Sequence, residues 1–146
     1  MARVILSEQG ATQFLKQQVG LEEAEPLWLR LYGNPHQPNR KDDLANYTEC
    51  GGHDYAPKLI KASEWTVINL EHGLVGVIAP AQIWTFGDGP PMRVYGSYAT
   101  GSRRSRLLYW GDALEGNYVL VERRGQQLEI QPCLIRALAP DSIVGG

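Results

Sequence analysis

Three histidines, two cysteines and a short run of arginines are the residues from which chemistry could be assembled. His36, His53 and His72, with Asp42, Asp43 and Asp54 near them in sequence, are the raw material of a metal site such as a cupin-like barrel builds from histidines and a carboxylate. There is no His-x-His pair, and each histidine stands in a separate turn or loop. The spacing therefore predicts exposed loop histidines and no metal site. Cys50-Gly51-Gly52-His53 sets a thiol three residues before an imidazole, whereas a catalytic base normally reaches its thiol from another element. The double glycine reads instead as a loop entering a strand at Tyr55. Cys50 and Cys133, far apart and without a partner at metal-finger spacing, read as free buried thiols. Gly87-Asp88-Gly89-Pro90 lacks the lysine and the helix of a phosphate-binding loop and reads as a turn. No catalytic residue, cofactor or metal ligand is assigned.

Two surfaces remain. Trp28, Trp65, Trp84 and Trp110 would form a sugar-stacking platform if exposed, but in a small β protein they are expected in the core or at interfaces. Arg103, Arg104 and Arg106 fall at the tip of a predicted hairpin, where they read either as a solvated turn or as planar guanidinium groups suited to an acidic surface on a neighbour. Arg40 and Lys41, in a long polar loop, are the other candidate partner contacts.

The elements that must position these residues follow from periodicity. Ser7 is a candidate N-cap, and Ala11, Phe14, Leu15 and Val19 recur at helical spacing before Gly20, which predicts one amphipathic helix over 7–19. Leu27-Trp28-Leu29-Arg30-Leu31-Tyr32 alternates as a half-buried strand, and a polar, proline-rich loop follows over 33–52. Loops of that length are usually functional or clamped by a partner. Pro57 makes 55–60 an edge strand. Further strands are read at 65–69, 73–78, 82–86, 118–121, 128–130 and 133–138, with turns at 70–72 and 123–126.

A central hairpin is predicted from Met92–Ala99 and Arg106–Trp110. Its first strand should place Met92, Val94, Gly96 and Tyr98 on one face and Arg93, Tyr95, Ser97 and Ala99 on the other, one face packing and the other meeting a partner. About nine short strands and one leading helix predict an all-β protein, an antiparallel, jelly-roll-like β-sandwich forming a single domain over 1–146.

Composition agrees with this class. The 146 residues include 16 glycines and 9 prolines, which favour many short strands, and 43% hydrophobic residues suffice for a self-standing core. A formal net charge of -2 argues against a general nucleic-acid binder. Met1-Ala2-Arg3-Val4-Ile5-Leu6 is too short an apolar run for a signal peptide, and no stretch reaches transmembrane length, so a cytoplasmic protein without membrane contact is expected.

Taken in order from Ser7 to Leu138, these weak motifs resemble a family of small bacteriophage virion proteins, minor structural or tail-fibre-like. The run Asn46–Ala56 resembles that family's "Glu, small or Gly residues, Tyr-Ala" approach to a strand. Val94–Thr100 resembles its strand with a central glycine, Leu107–Gly111 its returning Leu-Leu-aromatic strand, and Gly125–Pro132 its closing element. Arg103-Arg104 departs from a tip that is usually small and polar. The resemblance implies a non-enzymatic β-sandwich made in the bacterial cytoplasm and carried in the virion. It would be a capsid cement or decoration protein bound to the major capsid protein, or a tail, adaptor or fibre-base component, in either case a homo-oligomer. A carbohydrate-binding or cupin-like module is the reading from outside that class.

Overall fold

The computed structural model describes residues 4–20, 23–69 and 74–137. His72, the 70–72 turn and everything beyond Ala137 lie outside them. Twelve strands occur among the described residues, where sequence spacing predicts about nine, together with one α-helix and two single-turn 3-10 segments. All strand pairs are antiparallel.

Leucine alternation sets the central strand. In β2 (Leu27–Tyr32) the side chains of Leu27, Leu29 and Leu31 are each at most 3% exposed, while Trp28 and Arg30 are only partly covered. Each such leucine contributes roughly 1.5–3 kcal/mol of burial. β2 lies inside a five-stranded sheet of order β1 (Ile5–Leu6), β9 (Leu108–Ala113), β8 (Gly96–Gly101), β2, β3 (Lys58–Ile60). β3 is an edge strand, as Pro57 predicts.

Three smaller sheets complete the β structure. They pair β6 (Gln82–Thr85) with β11 (Gln127–Ile130), β7 (Met92–Val94) with β10 (Val119–Val121), and β5 (Leu74–Ile78) with both β4 (Thr66–Asn69) and β12 (Cys133–Ala137). The leucine face of β2 packs with Ile60, Trp84, Val94, Ala99, Trp110, Val121 and Ile130 in the main core.

The predicted central hairpin is corrected in two ways. Its first strand divides at Tyr95: Val94 pairs with Val119 in one sheet, while Gly96 pairs with Tyr32 and Ala113 in another. The chain changes sheets at a residue across which the period-2 pattern runs unbroken, and this division raises the strand count. Nor is one face left for a partner, since every residue from Gly96 to Gly101 is buried. Ala99 enters the main core, and Tyr98 joins a second cluster with Tyr32, Tyr47, Tyr95 and Leu108.

The long loop covers that second face. Tyr47 stacks on Tyr98 with ring centres 4.8 Å apart and meets Tyr32 edge-on at 5.0 Å. Gly111 makes this possible, because a Cβ there would fall 2.0 Å from the Tyr47 hydroxyl. The loop is therefore clamped by its own chain.

The helix α1 (Glu8–Gln18) begins where predicted, with the Ser7 hydroxyl accepting from the Gly10 amide at 2.9 Å. Its packing face agrees with the predicted one at Phe14, which packs against the main core with its ring 4.9 Å from that of Tyr109, and differs elsewhere. Gly10 and Gln13 are buried, whereas Leu15 and Val19 are 58% and 69% exposed. The cause is a bulge. Ala99 pairs with Trp110 and Thr100 with Leu108, which leaves Tyr109 as the extra residue of β9. The Ser7 amide donates to the Tyr109 carbonyl at 2.9 Å, Gln9 Oε1 accepts from the Leu108 amide at 2.9 Å, and the Ser7 hydroxyl also donates to the Leu108 carbonyl. A Cβ on Gly10 would come within 2.3 Å of the Tyr109 carbonyl oxygen, so the glycine lets α1 lie directly on the bulge.

Candidate functional site

The bulge carries Tyr109 under a latch that sequence reading did not anticipate. Glu25 is buried just before β2. One carboxylate oxygen accepts from the Arg103 amide at 2.8 Å and the Arg104 amide at 3.2 Å, and the other accepts from the Tyr109 hydroxyl at 2.7 Å. Burial alone raises the Glu25 pKa. The Tyr109 hydroxyl and the two amides more than offset that and hold it below the ordinary value. The turn joining β8 to β9 is thus folded around a carboxylate, with the Leu107 amide closing it onto the Arg104 carbonyl at 2.9 Å.

Of the arginines at this tip, Arg103 is engaged within the chain. Its guanidinium donates to the Ala24 carbonyl at 2.6 Å and lies 3.7 Å from the Glu23 carboxylate. Arg104 and Arg106 are exposed. Facing them is one stripe of α1: Gln9, Thr12, Gln13 and Lys16 fall at i, i+3, i+4 and i+7. Between stripe and turn runs an open groove of about 740 Å³ lined by those four residues and by Arg103, Arg104, Ser105, Arg106 and Leu107. Four of its lining side chains are cationic and none is a carboxylate. Among the described residues no ion pair involves Lys16 or Arg106.

Arg40 and Lys41 do not line the groove. The Arg40 carbonyl accepts from the Glu8 amide at 2.7 Å, and the Lys41 amide donates to the Asn39 side chain at 2.9 Å. Both side chains are exposed. Lys16, by contrast, carried no sequence signal, because what brings it to the arginines is the packing of α1 on a bulge.

Two histidines are corrected from exposed loop positions to structural ones. His36 is partly buried and bonds Asp42 at 2.7 Å, and Asp42 also accepts from the Tyr47 hydroxyl at 2.8 Å and the Asn39 amide at 2.8 Å. Burial pushes the Asp42 pKa up, but these donors pull it below its ordinary value. His53 is 3% exposed, with Nδ1 2.9 Å from the Gly87 carbonyl oxygen and Nε2 on the Pro90 carbonyl oxygen. Two acceptors on one ring are satisfied together only by imidazolium, and these carbonyls raise the His53 pKa. The 87–90 segment thus turns two carbonyls onto the His53 ring, the reverse of an anion cradle, while the Gly87 amide donates to the His53 carbonyl at 2.7 Å.

Cys50 is buried and its thiol is pushed up to about 12, chiefly by burial. Trp84 and Trp110 are buried, Trp84 donates to the Ala56 carbonyl at 2.8 Å, and Trp65 meets Trp110 edge-on. Among the described residues no three His, Cys, Asp or Glu side chains gather as a metal site would require, and no helix is long and apolar enough to cross a membrane.

Comparison with family models, with curated proteins and with solved structures gives no match to this chain.

Proposed function

We propose that the chain is a non-enzymatic structural protein of a bacteriophage particle, a cement or decoration protein that binds the major capsid protein across joints between subunits. Its architecture is read as a jelly-roll-like β-sandwich, in which the leucine face of the five-stranded sheet packs on residues from β6, β7, β10 and β11. The observation that carries the reading is the employment of the reactive groups. His36 and Asp42 hold the long loop, His53 holds the 87–90 segment, and Glu25 holds the arginine turn. Cys50 is kept a thiol by burial. Groups that could move protons or attack a substrate are instead fastening loops to a rigid body, as suits a protein whose work is to be a shaped surface. The order of motifs along the chain supports the virion setting.

The test is mass spectrometry of gradient-purified particles from cells that carry the gene. The cement reading expects many copies in fixed ratio to the major capsid protein. A few copies travelling with isolated tails would replace it with the tail or fibre-base reading, and absence from every particle would remove the virion setting.

A further inference from the structure

We propose that the groove between α1 and the 101–107 turn binds an extended, carboxylate-bearing segment of the partner protein. This names the docking site of the function proposed above and rests on that reading. The chain as a whole is slightly acidic, with a net charge of -2, yet Lys16, Arg103, Arg104 and Arg106 all line one open groove. Arg103 is paired with Glu23, which lines the adjoining hollow with Glu25, and Lys16 and Arg106 have no ion pair among the described residues. Such a local field attracts acidic ligands and sets their register.

The walls are pre-set. Gln9 is bonded to the Leu108 amide on one side, and the turn is fixed to Glu25 on the other. Binding therefore orders little of this chain, which lowers its cost. Gln9 Oε1 and the Thr12 hydroxyl hydrogen are used within the chain, so the Gln9 amide nitrogen as donor and the Thr12 oxygen as acceptor are what the helix offers to the peptide groups of an extended segment. Guanidinium groups pair with carboxylates in a planar, two-point fashion, and Lys16 adds a point charge from the opposite wall. Nucleic acid is the less favoured occupant. Tracking a phosphate backbone needs many cations along a stripe, and this groove of about 740 Å³ is lined by four, in a chain that is acidic overall.

The experiment uses the full chain and a fluorescein-labelled peptide of alternating Asp and Gly, with a Gln-for-Asp peptide and a single-stranded oligonucleotide of equal charge as comparators. Amide shifts in NMR spectra report the site. The acidic peptide is expected to bind at low salt and to weaken as salt rises. Its shifts should map to Gln9, Thr12, Lys16 and the 103–107 turn, with the Gln peptide silent. K16Q and R106Q change exposed side chains and should preserve the fold, while together weakening the peptide by about tenfold.

No peptide binding, binding unaltered in the doubly substituted chain, shifts elsewhere, or preference for the oligonucleotide would each overturn the proposal. Failure of the virion reading shows separately. A chain that binds the peptide in this groove but is missing from particles keeps the site and loses the setting. Particles that retain the K16Q/R106Q chain at full occupancy lose the site and keep the setting.

Discussion

Asp112 sits in β9 opposite Ser97, and one of its carboxylate oxygens is buried without a hydrogen-bond partner among the described residues. Burial, with a smaller contribution from Glu115, pushes its pKa up to about 6 from an ordinary 3.8. Between those values the folded chain binds more protons than the unfolded one, so stability falls as pH rises from 3.8 to 6 and stays lowered above. D112N should remove that slope and raise stability at neutral pH by about 1–2 kcal/mol, the full shift being discounted for partial exposure, as read by urea unfolding at several pH values.

His53 gives the same direction of pH dependence, but as a favourable charge that is lost where Asp112 is an unfavourable one that is gained. Its raised pKa means that its contribution is fully present below the ordinary 6.5 and is lost as pH rises through the folded value. NMR titration of the ring should give a midpoint above 6.5, and H53Q should flatten the alkaline loss of stability. A midpoint at or below 6.5 would show that the two carbonyls do not hold an imidazolium.

Among the elements, the β8–β9 turn is folded around a single distant side chain. Removing the Glu25 carboxylate strands the Tyr109 hydroxyl and the amides of Arg103 and Arg104 together. E25A should cost about 2–4 kcal/mol and speed hydrogen exchange at those two amides, with E25Q milder because one oxygen still accepts. Unchanged exchange would mean that the turn holds its shape without the latch.

This latch also shows where sequence reading stops. Leucine alternation over 27–32 and Ser7 at the start of α1 are local signals, and the structure bears both out. The bond from Arg103 to Glu25 spans 78 residues and leaves no periodic trace. The packing face of α1 was readable only at Phe14 for the same reason. Phe14, Leu15 and Val19 mark an apolar stripe, yet the bulge at Tyr109 selects Gly10 and Gln13 and leaves two of those three exposed. The sheet change at Tyr95 is hidden because alternation continues straight across it. Arginines 103, 104 and 106 were legible as a cluster because they adjoin in sequence. Lys16, on the opposite wall, was not.

At the scale of the whole molecule, the centre of the five-stranded sheet around β8 is covered on both faces, by the main core on one and by the tyrosine cluster under the long loop on the other. Interlocked side chains and close glycine contacts of this kind leave little room for large internal rearrangement. A body that keeps its shape while presenting one cationic groove is suited to fastening other subunits, and the proposed cement role uses both properties. Cryo-electron microscopy of the purified particle tests that account most directly. It predicts density for this chain over joints between capsid subunits, with the groove between α1 and the 101–107 turn filled by an acidic segment of a neighbouring subunit. Density confined to the tail, or a chain seated on the capsid with that groove open to solvent, would contradict it.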